Sequence, residues 1–256
     1  MYSEHINNIQ IKRYIMQNHQ HTDTQAASNH KPTIVLVHGA FADGSTWNQV
    51  LKLLHAEGFN TIAVQNPLSS LDDDVIAAQR VLNRVEGPVV LVGHSWGGMV
   101  ITEAGQHESV KSLVYVAAFA PAVGESIVDL GQGLPTPSGF AHLVSDQDGF
   151  LTLSLEGIEQ HLAQDLNDSV QTQLMYATQT PIRARNFEEK VNAAAWKVKP
   201  STYIISEDDY MLQPELQKKM AERMSANITT LKASHVPHLS QAAEVAKVII
   251  EAASKI

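Results

Sequence analysis

Short runs of β-branched and aliphatic residues recur along the chain from residue 32, and most are followed by a segment with the character of a helix. The runs cover residues 33–37, 60–64, 89–92, 110–117, 202–205 and 228–231. A strand that is apolar at every position has both faces buried, so such strands alternating with helices are typical of a parallel sheet covered on both sides. The sequence therefore predicts an α/β fold with a mostly parallel sheet of about six strands flanked by helices.

The segments between these runs carry signals for the start and stop of helices. We predict helices over residues 47–57, 72–85, 97–106, 214–224 and 241–253. The first prediction ends before a glycine, the second begins with three aspartates, and the fourth begins with a proline, a residue favoured in the first turn. These helices supply the crossover connections that parallel strands require.

Residues 121–199 interrupt this alternation. The segment begins with a proline- and glycine-containing stretch, carries helix-like stretches of its own, and is longer than the connections inside compact domains normally are. We interpret it as an insertion, a helical cap that lies over the sheet and follows the strand ending near Ala118. The core is then expected to comprise residues 32–120 and 200–256.

The N-terminal segment, residues 1–31, is rich in Asn, Gln, His and Thr. Such a segment buries too little apolar surface to offset the entropy lost when a chain is ordered. We therefore expect a mobile N-terminal extension.

Composition narrows the class of partner. The formal charge is -9 and no cluster of Lys or Arg occurs, which argues against nucleic acid and anionic membranes. The chain has no cysteine, which excludes disulfides, thiolate catalysis and Cys-ligated metals. A neutral or weakly charged small molecule fits this charge better. No apolar run approaches a membrane span and no secretory signal is seen, so we expect a cytoplasmic protein. We expect a monomer or a homodimer.

A serine occurs in a Gly-x-Ser-x-Gly turn at the end of the third apolar run. In Gly93-His94-Ser95-Trp96-Gly97 the serine follows a predicted strand and precedes a predicted helix, which is the context of a nucleophile elbow. The alternative is that the glycines only allow a close crossing of strand and helix. A serine hydroxyl is a poor nucleophile at neutral pH, so a catalytic Ser95 requires a histidine base and an acid that orients it.

A glycine turn, His38-Gly39-Ala40, follows the first apolar run. The carboxyl ends of parallel strands meet at one edge of a sheet, so the backbone N–H groups of this turn can point toward the serine. The amides of Ala40 and Trp96 are candidate donors to an oxyanion. We expect His38 to brace the loop.

Candidate acids and bases follow the last two apolar runs. Asp208 and Asp209 follow the fifth run in the sequence, and chemistry alone does not choose between them. His235 and His238 follow the sixth run, and either residue can be the base. The residues by themselves leave both choices open.

Together these loops resemble the α/β-hydrolase superfamily, specifically its small capped branch of bacterial arylesterase-like proteins, plant methylesterases and hydroxynitrile lyases. The order nucleophile, acid, histidine is that of the superfamily. The resemblance covers residues 32–256 and implies the α/β-hydrolase fold. The matching segments are residues 36–41 with Trp47, 93–98, 114–121, 209–214 and 234–240.

The resemblance also implies which acid and which base take part. Bacterial members look like Asp-Arg-x-Ile-x-Pro at the acid loop, which is similar to residues 209–214 and implies Asp209, although Tyr210 replaces the arginine. Their Ser-His-Val-x-x-Leu-Ser at the base loop is similar to residues 234–240 and implies His235. The implied activity is cleavage of small, largely apolar carboxylic esters through an acyl-enzyme, without a metal or an organic cofactor.

Substrate contacts are expected from apolar side chains of the cap and of the loop after the first strand. The same side chains are equally typical of the cap's own packing. The candidates are Phe41, Phe140, Phe150, Met175 and Tyr176.

Other functions remain as alternatives. A hydroxynitrile-lyase-like enzyme would use the same triad, but the known lyases of this branch add a lysine and a threonine near the site. A non-catalytic protein that binds a small ligand is the other alternative, because a fold does not fix a function. No metal site is expected, since His19-x-His21 and His235-x-x-His238 have ligand spacing but no third ligand in a recognisable motif.

Overall fold

Six parallel strands form the central sheet of the computed structural model, which describes residues 31–256. Each of the six predicted runs forms one strand of this sheet, and the strands lie side by side in the order second, first, third, fourth, fifth and sixth run. The predicted fold class is therefore confirmed. The strands of the described residues are β1 (Thr33–Val37), β2 (Thr61–Val64), β3 (Val89–His94), β4 (Val110–Val116), β5 (Leu143–Ser145), β6 (Phe150–Leu153), β7 (Ile182–Arg183), β8 (Ser201–Ser206) and β9 (Asn227–Leu231).

The register of the sheet brings the ends of its central strands together. Val37 of β1 lies beside Gly93 of β3, and His94 of β3 lies beside Val116 of β4. Every residue of β1 and β3 is buried, because helices cover both faces. The loops after these strands therefore open onto one edge of the sheet.

Helices cover the two faces of the sheet in two groups. The first group, α1 and α9, packs on one face, and the second, α2, α3 and α7, packs on the other. Their bounds lie within three residues of the predicted ones. The helices are α1 (Asn48–Ala56), α2 (Leu71–Leu82), α3 (Gly97–Ala104), α4 (Ile127–Leu130), α5 (Leu155–Gly157), α6 (Ser169–Thr178), α7 (Pro214–Arg223), α8 (Pro237–Ser240) and α9 (Ala242–Ala253).

The insertion, residues 121–199, contains a small antiparallel sheet, β5-β6-β7, in addition to helices. Its first two strands form a hairpin because Asp146 accepts hydrogen bonds from the N–H groups of Asp148 and Phe150, and Gly149 adopts a φ of +79°. An Asp-Gly pair at such a turn is a common hairpin signal. The two ends of the insertion are joined, since the Trp196 indole N–H donates to the Pro121 carbonyl at 2.7 Å.

The extension predicted for residues 1–31 lies outside the described residues, except for Lys31. Within residues 31–256, none of the helices combines the length and the apolar character needed to cross a bilayer.

Candidate active site

Ser95 lies in a strained turn between β3 and α3. Its φ is +52°, a left-handed conformation that residues other than glycine rarely adopt. The turn is tight enough that a Cβ at Gly93 would lie 2.6 Å from the Gly97 carbonyl oxygen, and a Cβ at Gly97 would lie 2.6 Å from the Val37 carbonyl oxygen. Both glycines are therefore required for the elbow, which holds the serine at the edge of the sheet.

His235 links Ser95 to Asp209. The Nε2 atom of His235 lies 2.8 Å from the Ser95 hydroxyl oxygen, and its Nδ1 atom lies 2.7 Å from Oδ2 of Asp209. Of the alternatives left open by the sequence, Asp208 is exposed, and His238 packs against Trp47 behind the site. The arrangement lets Nδ1–H donate to the carboxylate while Nε2 accepts the serine proton.

The Asp209 carboxylate is held by four donors. Its Oδ1 accepts the N–H groups of Met211 and Leu212, both at 2.8 Å, and its Oδ2 accepts Gln217 Nε2 at 2.7 Å as well as His235. Gln217 is fully buried on α7. Gln217 was not predicted from the sequence, because a glutamine in a helix carries no signal of an acid eight residues earlier. A carboxylate so well supplied with donors is fixed in position for the histidine.

Two further histidines lie behind His235. His94 Nε2–H donates to the His235 carbonyl at 2.8 Å, and the His94 and His238 rings lie 4.3 Å apart. Burial, followed by the neighbouring histidines, holds the pKa of His94 well below its ordinary value, and burial lowers the pKa of His238 to about 3. Both rings are therefore neutral, and they support the base loop by packing.

Ala40 and Trp96 lie beside Ser95 in the wall of one cavity. Within residues 31–256, neither backbone N–H donates a hydrogen bond, so both are free to receive an oxyanion. His38 lies within hydrogen-bonding distance of the adjacent Gly39 carbonyl, at 2.9 Å, and burial lowers the pKa of this imidazole. The location of His38 fits a bracing role in the loop.

A buried aspartate anchors the Trp96 side chain. The indole Nε1–H donates to Asp74 Oδ2 at 2.6 Å, and the Leu68 N–H donates to Oδ1 at 2.7 Å. Burial raises the pKa of Asp74 to about 6. The sequence analysis missed this contact because Asp74 is one of three aspartates that signal the start of a helix.

Two neighbouring cavities lie between the core edge and the insertion. The inner cavity measures about 20 Å³ and is lined by Ser95 and His235, and the outer cavity measures about 240 Å³. Among residues 31–256, no Asp, Glu, Lys or Arg lines either cavity. Five apolar side chains line both: Phe119, Ile127, Phe140, Phe187 and Met211.

The predicted substrate contacts divide into two groups. Phe41 and Phe140 line the inner cavity. The other three are not among the residues that line these cavities: Phe150 packs beneath the Arg183 guanidinium, Met175 is buried in the hydrophobic core, and Tyr176 is 48% exposed. Helix α6 turns Met175 inward and Tyr176 to solvent, so neither side chain reaches the serine.

Other cavity walls were missed by the sequence analysis. Phe119 follows β4, Met211 follows the acid, and Leu162 and Phe187 come from separate turns of the insertion. No local pattern marks these residues as neighbours. Only the position of Met211, two residues after Asp209, carried a signal.

Two histidine pairs in the sequence have the spacing of metal ligands. Among residues 31–256, no group of three or more His, Asp or Glu side chains is arranged to hold a metal ion. His19 and His21 lie outside the described residues.

Comparison with known proteins finds similar chains among hydrolases and esterases. The pyrethroid hydrolase of Sphingobium wenxiniae is 26% identical over 85% of this chain and 86% of its own. Methylesterase 8 of Arabidopsis thaliana is 25% identical over 77% and 80%, respectively. The crystal structure of polyneuridine aldehyde esterase superposes with a TM-score of 0.75 at 19% identity, covering 87% of this chain and 99% of that one.

The named relatives support the predicted enzyme class, a carboxylic ester hydrolase. The model of the alpha/beta hydrolase family matches residues 34–248, which include the elbow, the acid loop and the base loop. The resemblance inferred from the motifs is thereby confirmed, and the chain belongs to the alpha/beta hydrolase family.

Proposed function

We propose that this protein is a serine esterase that cleaves small, largely apolar carboxylic esters through an acyl-enzyme. The observation that carries the proposal is the hydrogen-bonded line from Ser95 through His235 to Asp209, which ends in an apolar cavity. The esterases and hydrolases among the relatives support the broader class.

In the first half of the reaction, Ser95 Oγ attacks the ester carbonyl while His235 Nε2 accepts the hydroxyl proton. The carbonyl oxygen becomes an oxyanion that receives the N–H groups of Ala40 and Trp96. Asp209 stays ionised and stabilises the imidazolium. The tetrahedral intermediate then collapses, and the departing alkoxide takes the proton from His235.

In the second half, water occupies the place of the alcohol. His235 Nε2 accepts a proton from this water, whose oxygen attacks the acyl carbon bound to Ser95. The second tetrahedral intermediate expels Ser95 Oγ, which recovers its proton from His235. The products are one alcohol and one carboxylic acid, with the enzyme regenerated.

The cavity walls favour neutral, apolar substrates. Transfer of a charged group from water into a site without a compensating charge is costly. The inner cavity is only about the size of a single water, so the group beside Ser95 must be compact. In the part of the chain that the structure describes, the inner wall carries no lysine, which favours ester hydrolysis over the lyase alternative.

The test is turnover of p-nitrophenyl acetate and butyrate by the wild type and by Ser95→Ala. We expect a loss of about 10³-fold or more, because the triad acts as a unit. Ser145→Ala is the matched control, since this serine lies in the insertion and bonds only a neighbouring carbonyl. A fluorophosphonate should label the wild type and the control but not Ser95→Ala.

Equal turnover by wild type and Ser95→Ala would refute the proposed function. Cyanohydrin cleavage without ester turnover would support the lyase alternative instead. A folded protein that neither turns over esters nor takes the label would support a ligand-binding role.

A further inference from the structure

Two adjacent residues of the insertion bind the loops that carry the acid and the base. Gln164 Nε2 donates to the Asp208 carbonyl at 2.5 Å, and Asp165 Oδ2 accepts the Ser234 N–H at 3.0 Å. Asp208 directly precedes Asp209, and Ser234 directly precedes His235. The insertion thus contacts the backbone one residue before each of the two groups on which Ser95 depends.

The two loops also meet each other at this place. The Asp208 N–H donates to the Ala233 carbonyl at 3.0 Å, so the acid and base loops are joined one residue before Asp209 and two residues before His235. Gln164 and Asp165 bind both sides of this junction. A displacement of either residue would therefore displace both loops.

The chain reaches this junction through a rare turn. Residues Ile158–Leu162 form a π-helical turn, closed by the Ala163 N–H donating to the Ile158 carbonyl at 2.8 Å. Such turns occur frequently at functional sites. Leu162 lines the inner cavity beside Ser95, two residues before Gln164. One short segment therefore contacts both the cavity and the two loops.

Each side chain of the pair has one paired and one unpaired polar atom. Among the described residues, Gln164 Oε1 and Asp165 Oδ1 are buried without a hydrogen-bond partner. A buried polar atom that lacks a partner is destabilising. The hydrogen bonds of these side chains are thus directed to the acid and base loops and not to other parts of the insertion.

We propose that Gln164 and Asp165 are positioning residues, which hold the acid and base loops so that His235 stays aligned with Ser95 and Asp209. The inference rests on the proposed function and makes catalysis depend on the insertion as well as on the core. Misplacement of a catalytic group by a fraction of an ångström is enough to slow proton transfer.

The test compares Asp165→Ala with Asp168→Ala in the full-length protein. Asp168 is a matched control, because it also accepts backbone N–H groups within the insertion, those of Val170 and Gln171, but contacts neither core loop. We expect Asp165→Ala to lower kcat about tenfold, the rate equivalent of one hydrogen bond, with KM for p-nitrophenyl acetate changed less than twofold. Asp168→Ala should keep kcat within twofold.

Asp165→Asn separates positioning from charge, since its amide oxygen can still accept the Ser234 N–H, and it should recover most of kcat. Fluorophosphonate labelling of Ser95 should slow in parallel with kcat. If Asp165→Ala melts cooperatively and retains the kcat of Asp168→Ala, the inference is wrong.

If Asp165→Ala does not fold, Gln164→Ala decides, because it removes the hydrogen bond to the Asp208 carbonyl. A reduced kcat for Gln164→Ala at unchanged KM supports positioning, and wild-type kcat for this variant overturns it. Failure of the proposed function would look different, because wild type and Ser95→Ala would then have equal turnover.

Discussion

In the core, Ser95, Asp209 and His235 each lie just beyond the end of a parallel strand, whereas the insertion faces them with Phe140 and Leu162, which lie on 3₁₀ and π turns. Strand ends are fixed by the hydrogen bonds of the whole sheet, while short turns depend on local packing. The candidate catalytic side chains are therefore held by the sheet, while part of the cavity wall is held by turns. Turns tolerate sequence change more readily than the strands that they connect, so we expect the cavity wall to vary more than the triad.

The two regions also differ in how deeply they bury ionisable side chains. The core buries His94, His238 and Asp74 almost completely, while His161 in the insertion lies near the surface. The pH dependence of stability should therefore originate in the core. The following predictions test this contrast and the contrast in packing.

The largest expected effect is acid destabilisation through His238. Its pKa falls from the ordinary 6.5 to about 3 through burial, so below pH 6.5 the unfolded chain binds a proton that the folded chain excludes. The free energy of unfolding should fall as pH drops through this window, by up to about 5 kcal/mol from this residue at pH 3. Urea unfolding between pH 7 and pH 4 measures the slope.

His238→Leu should reduce that slope, the part due to buried His94 remaining, and should be at least as stable at pH 7. Both ring nitrogens of His238 lack a hydrogen-bond partner within the described residues, so the leucine removes buried unpaired atoms. His161→Leu in the insertion is the control and should leave most of the slope in place. An unchanged slope in His238→Leu would contradict the assignment.

Packing gives the second contrast. Leu36 of β1 is fully buried, and Leu174 of the insertion is 53% exposed. Leu36→Ala should lower the free energy of unfolding by about 2–5 kcal/mol through loss of burial and cavity formation. Leu174→Ala should change it by less than about 0.5 kcal/mol. Equal losses measured by chemical denaturation would show that the insertion is packed as firmly as the core.

Asp74 should give a pH dependence of opposite sign. Burial raises its pKa from 3.8 to about 6, so between these values the folded chain binds the extra proton and stability falls as pH rises. Asp74→Asn should remove this decline, which amounts to about 3 kcal/mol at most. Unfolding at pH 4, 5, 6 and 7 tests it.

Asp129 in the insertion provides the control for Asp74. Its pKa is lowered, first by the Ser126 N–H and then by the Lys190 ammonium, so its contribution to stability is lost as pH falls. Asp129→Asn should therefore remove a loss of stability at low pH, whereas Asp74→Asn removes a loss of stability at high pH. If the free energy of unfolding of both variants changes with pH in the same way relative to the wild type, the contrast is refuted.

The smallest expected effect concerns the substrate. Phe140 lines both cavities, so Phe140→Ala should raise KM about fivefold for p-nitrophenyl butyrate while kcat changes less, an effect of about 1 kcal/mol. Tyr176 is not among the residues that line the two cavities, so Tyr176→Ala should leave KM unchanged. The same KM for both variants would show that the cavity walls do not select the acyl chain.

The sequence was most informative where structure follows from local rules. Ser95 could be located because strand, glycine turn and helix are contiguous, and the apolar runs identified the sheet because burial on both faces leaves no polar positions. The choice of Asp209 over Asp208 needed a family resemblance, since two neighbouring carboxylates are chemically equivalent until a fold turns one inward. Local patterns therefore locate the core elements but not every member of the site.

The rest of the site depends on contacts between distant segments. Gln217 meets Asp209 from a helix, Asp74 meets Trp96 across 22 residues, and Leu162 reaches the cavity from a π turn that no periodicity predicts. The hairpin of the insertion was missed although its Asp-Gly signal was present, because the segment was interpreted as helical overall. Tertiary packing decides such positions.

The hydrogen bond between Trp196 and Pro121 makes the insertion suitable for replacement as a unit. It closes the insertion into a loop whose two ends meet, and β4 and β8, which flank it, are neighbours in the sheet. A different segment of suitable length could be grafted between these strands without disturbing the order of the sheet. The scaffold is thus suited to exchange of the segment that supplies part of the cavity wall, by recombination or by design.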